Sequence, residues 1–130
     1  MSESLRFLPL LGRILIAVLF APAGFSKLNG FQGTVEYTAL HNVPLPALAT
    51  AAAIAIELGG SLLLIVGFKT RWVAAAMALF AVVTAIFFHH DFADEVHMQM
   101  INFQKNVAIA GGLLAFVYFG AGPISVDNRK

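Results

Sequence analysis

Cysteine is absent from this chain, which excludes disulfides, thiolate metal sites and any dithiol relay run by the chain itself. Charge is scarce as well: 12% of residues are Asp, Glu, Lys or Arg, about half of what a soluble domain carries. The formal net charge of +1 gives no electrostatic reason to expect nucleic acid or a strongly acidic partner. No phosphate-cradling glycine loop, nucleophile elbow or glycosidase-type carboxylate pair occurs, so the chain carries no self-contained catalytic set and no catalytic residue is assigned.

Apolar residues are abundant instead: 59% of the 130 residues are hydrophobic and the mean hydropathy is +0.83. A soluble core of this size cannot absorb so much apolar surface, and lipid must solvate part of it. Four apolar stretches, at about 8–25, 46–68, 72–88 and 101–119, are each close to the length that crosses a hydrocarbon core. They predict an all-α integral membrane four-helix bundle, running up-down-up-down, as one domain over 1–130. Pro22 interrupts the first stretch, which a bilayer helix tolerates when a neighbour covers the freed carbonyl. Met1–Phe7 carries both Glu3 and Arg6 and no convincing small-x-small cleavage site follows, so the first run is read as a retained span.

The longest connection, Ser26 to about Val43, is punctuated by Gly30, Gly33 and Asn42, with Pro44 just beyond. Phe31, Val35 and Leu40 fall roughly on one face, so a short helix lying at the membrane surface and a plain loop are equally good readings. With the N-terminus in the cytoplasm, the inner side holds Arg6, Lys69, Arg71, Arg129 and Lys130, and the outer side Lys27 and Lys105. That imbalance predicts both termini inside. Ala47, Ala51, Ala55 and Gly59, and likewise Ala108, Gly112 and Ala115, recur as smooth ridges that let another helix approach.

Three ionisable side chains, Arg13, Glu57 and Lys105, fall inside apolar spans, where a charge costs roughly 2.5–3.5 kcal/mol even on lenient insertion scales. Counting residues inward puts Glu57 within side-chain reach of either cation. Two accounts stand. A structural ion pair would fix helix register, and it carries more weight because a sequence shows no cavity. A polar pocket with surplus positive charge would instead take a quinone-like or anionic ligand. Arg13 has a third option, snorkelling to the inner interface. His89, His90 and His97, with Asp91, Asp94 and Glu95, resemble a metal-ligand inventory. Adjacent histidines on a helix point about 100° apart, so a solvated helix end is preferred and no metal is expected.

The order and spacing of four motifs resemble the DoxX family of small bacterial membrane proteins. They are Arg13 followed by Gly24-Phe25-Ser26-Lys27; Glu57-Leu58-Gly59-Gly60 leading to Gly67-Phe68-Lys69-Thr70-Arg71; His89-His90-Asp91-Phe92-Ala93; and Lys105-Asn106 before Gly111-Gly112, then Gly122-Pro123-Ile124-Ser125-Val126-Asp127. The chain has Ala121-Gly122-Pro123 where the family pattern has Gly-Pro-Gly. The resemblance implies a four-helix bundle in a bacterial inner membrane and a redox association, at most as an oxidoreductase-associated subunit. Thiol chemistry of similar bundles does not transfer to a chain without cysteine. The leading expectation is a subunit of a redox- or stress-associated assembly. Arg13, Glu57, Lys105 and Asn106 would line a polar site for a quinone or small anion, and Lys27, His89 and His90 would be outer-side candidates. Competing with it are a structural or chaperone-like partner for other membrane proteins or for copies of itself, and a small transporter or proton pathway through Glu57, for which four spans leave little room.

Overall fold

The computed structural model describes residues 5–88 and 98–128, apart from the side chains of 98 and 99. Every regular element among them is helical. Helix α1 (Leu8–Asn29) is followed by the short α2 (Phe31–Leu40), then α3 (Pro46–Val66), α4 (Thr70–Phe88) and α5 (Met98–Phe119). Helices α1, α3, α4 and α5 are the four expected transmembrane spans, long and apolar enough to cross a bilayer. Three residues, 67–69, reverse the chain between α3 and α4, and Arg13 near the start of α1 meets Leu64 near the end of α3, so α3 runs antiparallel to both. Most of the spans' large aliphatic residues, Leu15, Val18, Leu62, Leu79 and Leu114 among them, face outward where lipid solvates them.

Helix starts and stops follow local chemistry. Proline sits in the first turn of both α1 (Pro9) and α3 (Pro46), where its missing N–H is harmless. Pro22 lies inside α1 without ending it. The first span continues four residues past the expected Phe25, to Asn29, and that extension carries Lys27 into its last turn. Between α1 and α3 a short helix forms in place of a plain loop. Its inward contact is Thr38, however, while Phe31 and Leu40 stay exposed.

The core is built by Phe20 of α1, Leu64 of α3, Ala74, Met77, Ala78 and Ala81 of α4, and Ala110 and Leu113 of α5. Close approach comes from α4, whose Ala74, Ala78, Ala81 and Ala85 are buried, and from Gly60, where a Cβ would stand 3.0 Å from Met77 Sδ. Both ridges expected from the sequence point the other way. Ala47, Ala51, Ala55 and Gly59 are exposed, as are Ala108, Gly112 and Ala115. On α3 the reason is polarity: Thr50, Glu57 and Ser61 share a face, and that face must turn from lipid into the bundle. The alanines one step around the helix are rotated outward as a result.

Candidate functional site

The polar residues that looked like one set in the sequence divide between one end of the bundle, where Arg13 lies, and its interior further along, where Glu57 lies. At the end where α1 begins and α3 stops, Arg13 is completely buried. Its Nη1 donates to the carbonyls of Leu64 (3.0 Å) and Ile65 (3.1 Å), and its Nη2 donates to that of Ile124. The final carbonyls of a helix have no partner within it, and the guanidinium fork satisfies two of them while tying down the chain after α5. Gly67 lies beside it at φ +75°, where a Cβ would come within 2.5 Å of Arg13 Nη1. The space and the left-handed backbone both call for glycine.

Asp127 completes this knot. Its carboxylate accepts the backbone N–H groups of Lys69 (2.6 Å) and Thr70 (2.8 Å), capping α4 from a distant part of the chain. Partial desolvation pushes the carboxyl up. Hydrogen bonds from Thr70 and Lys69, together with the Arg13 charge, more than offset it and hold the pKa below the ordinary carboxylate value.

Glu57 lies near the middle of α3, and the expected pairing with Arg13 or Lys105 is not what forms. Its partner is Lys27, with Nζ 2.7 Å from Oε1. Arg13 is eleven residues back along α1 from Gly24, which touches Glu57, and so roughly 16 Å away along the axis. Depth counting failed because it took Lys27 as the outer surface, whereas α1 runs on to Asn29, Gly24 stands level with Glu57, and Lys27 reaches the carboxylate from one turn beyond.

Local geometry explains why Gly24 and Glu57 meet. A Cβ at Gly24 would lie 2.9 Å from Glu57 Cβ and 2.9 Å from Leu58 Cγ, so only glycine lets α1 approach α3 this closely. Lys27, one turn on, then overhangs the carboxylate. Around Glu57, α3 opens into a π-helical turn, Ala55–Gly59, a distortion that recurs at functional sites. The Ser61 hydroxyl donates to the backbone carbonyl of Glu57 there.

Above the pair lies a cavity of about 650 Å³, lined by residues of α1 through α5 and within the size range of small-molecule sites. Its walls are largely apolar and aromatic, with Phe20, Ile56, Phe80, Val83, Phe87 and Phe88. Three of its polar groups are ionisable side chains, Lys27, Glu57 and Lys105; the others are Asn106, Tyr37, Thr34, Thr38, Thr50 and Thr84. The Asn106 amide donates to Thr84 Oγ1 (3.0 Å), which donates in turn to the Ala81 carbonyl (3.0 Å). Thr50 and Thr38 hydroxyls face each other at 3.5 Å. In the cavity wall, Tyr37 of α2 stacks on Phe88 (5.6 Å between ring centres, 10° between planes), and the His41 ring contacts both.

Four sequence candidates, Lys27, Glu57, Lys105 and Asn106, therefore line one cavity. Arg13 does not, and His89 and His90 lie outside the described residues. Sequence reasoning missed Tyr37, Thr38, His41, Thr50 and Thr84. Thr50 carried a usable signal, since it stands two helical turns before Glu57 on the same face. Tyr37 and His41, one turn apart on α2, had none that separated them from an ordinary surface helix.

A family model described as DoxX matches residues 8–90. The chain is 40% identical over 123 residues to Inner membrane protein YphA of Escherichia coli K12, covering 92% of this chain and 88% of that protein. It is 38% identical over 124 residues to Inner membrane protein YqjF of the same organism, covering 93% and 92%. A candidate oxidoreductase of Bacillus subtilis 168, CatD, is 33% identical over 79 residues, 61% of this chain and 58% of that protein. No solved structure matches.

Proposed function

The chain belongs to the DoxX family, and from that premise we propose that it is an inner-membrane subunit of a redox- or stress-associated assembly whose cavity binds a quinone. The inner-membrane placement is supported by the names of its two full-length relatives, and the redox association by the oxidoreductase name of the Bacillus subtilis relative. The excess of basic residues at the end holding Arg6, Lys69 and Arg71 supports a cytoplasmic position for that end and for both termini.

One observation carries the ligand reading: apolar and aromatic walls converge on a cluster of hydrogen-bond donors beside a partly buried ion pair. A quinone has a planar ring suited to Phe20, Phe80 and Phe88 and carbonyl oxygens that accept from Lys27, Lys105 or Asn106. A small inorganic anion would use the ammonium groups but leave most of the wall area without a partner, so the quinone is preferred. Quinone titration of the protein purified in mild detergent, wild type against Glu57→Gln, tests it. Saturable binding weakened in the variant is expected. Equal and negligible binding by both removes the quinone.

A second reading, a partner for other membrane helices, is favoured by the outward alanine ridges on α3 and α5. Pull-down with Ala55→Leu addresses it, and unchanged partner recovery counts against it.

A further inference from the structure

Hydrogen-bonding capacity in the cavity beside Glu57 is uneven, and the imbalance bears on which oxidation state of a ligand fits. Asn106 of α5 shows it first. Its amide N–H donates to Thr84 Oγ1, and the Thr84 hydroxyl spends its own proton on the Ala81 carbonyl. Toward Asn106, Thr84 can therefore only accept, which fixes the amide with its nitrogen facing α4. The Asn106 carbonyl oxygen is left as an acceptor, and no donor among the described residues bonds to it.

Glu57 has a similar deficit. An ionised carboxylate offers sites for about four hydrogen bonds. Among the described residues, Lys27 alone reaches it, at Oε1, and no hydroxyl, amide or backbone N–H adds to that contact. With 4% of the side chain exposed, bulk water satisfies little of the remainder. Two acceptors with unused capacity, one on α3 and one on α5, thus line the cavity.

A quinone brings only carbonyl oxygens. It can accept from Lys27 and Lys105, but it gives the two acceptors nothing, and an acceptor sealed from water without a donor bears its full desolvation cost. The reduced ring, a quinol, has the same flat apolar face for Phe20, Phe80 and Phe88 and carries two O–H donors as well. Its oxygens still accept from the lysines.

We infer that the cavity binds the quinol in preference to the quinone, one hydroxyl donating to the Glu57 carboxylate and the other to the Asn106 carbonyl. This preference rests on the quinone reading of the same cavity and adds the oxidation state that it selects. A hydrogen bond to a charged group contributes about tenfold in affinity and one to a neutral amide about threefold, so a preference on the order of 30-fold is expected.

The test is equilibrium dialysis of the full chain in mild detergent, against empty micelles and without oxygen. The ligands are decylubiquinone and, separately, decylubiquinol held reduced by dithionite, which finds no disulfide to attack in a chain without cysteine. The ratio of the two affinities should fall about tenfold in Glu57→Gln and about threefold in Asn106→Leu, the quinol losing more than the quinone in each. Should Glu57→Gln fail to fold, Asn106→Leu decides, since it leaves the ion pair intact. Quinone binding as tight as quinol binding in the wild type overturns the inference and leaves the quinone reading standing, and an unchanged ratio in the folded variants does the same. Binding of neither ligand removes both.

Discussion

Removing the Glu57 carboxylate should cost the fold more than removing both members of its ion pair. Glu57 retains 4% of its side-chain exposure and Lys27 retains 32%. Truncating one partner of a fully buried pair costs about 3–5 kcal/mol because a charge is left without compensation, whereas exposed pairs contribute at most about 1 kcal/mol. Lys27 lies between these limits. It sits in the last turn of α1, its ammonium is partly reached by solvent, and a long stem lets it lean toward the interface. Glu57→Ala is therefore expected to destabilise by about 1–3 kcal/mol, a fall in melting temperature of the order of 5–10 °C.

A double-mutant cycle makes the argument specific. Lys27→Met removes the cation but strands the buried carboxylate. Glu57→Ala/Lys27→Met strands neither and should melt above Glu57→Ala alone. The assay is thermal melting in one detergent, read by near-UV circular dichroism or an unfolding dye, with monodispersity checked by size exclusion. If the two single effects add to within about 0.5 kcal/mol, the side chains do not interact and the pair is not what holds α1 to α3.

Two further outcomes follow from the knot at the other end. Arg13→Lys should lower the melting temperature strongly and reduce membrane accumulation, by about 2–4 kcal/mol, since an ammonium cannot span the carbonyls of Leu64, Ile65 and Ile124 as a planar fork does; wild-type yield and melting in that variant would refute the role. Asp127 gives a pH dependence of known sign. Its folded pKa lies below the unfolded value of about 3.9, so the unfolded chain binds the proton more readily and the carboxylate stabilises the fold above that value. The gap in melting temperature between wild type and Asp127→Asn should be full above about pH 5 and close as the pH falls through the folded pKa; a gap that stays constant to pH 3 would show that the charge contributes nothing.

Composition and hydropathy were enough to establish the spans, their number and the solvent around them, because twenty apolar residues in a row have few stable alternatives outside a bilayer. Arg13, Lys27, Glu57, Lys105 and Asn106 were legible as important for the same reason, since polar groups inside spans are too costly to be idle. Their grouping was not legible. Sequence distance gives depth along a helix only when its ends are known, and a short extension of α1 exchanged the partner of Glu57 from Arg13 or Lys105 to Lys27. Helix rotation was equally hidden. Small residues at a four-residue period describe a ridge without saying which way it faces, and on α3 the inward direction was taken by Thr50, Glu57 and Ser61. Only the packed bundle could bring Asp127 onto the start of α4, set Arg13 on the carbonyls that end α3, and leave a cavity over Glu57. Each of those depends on contacts between segments far apart in the chain, whose relative positions are fixed by packing and not by any local propensity.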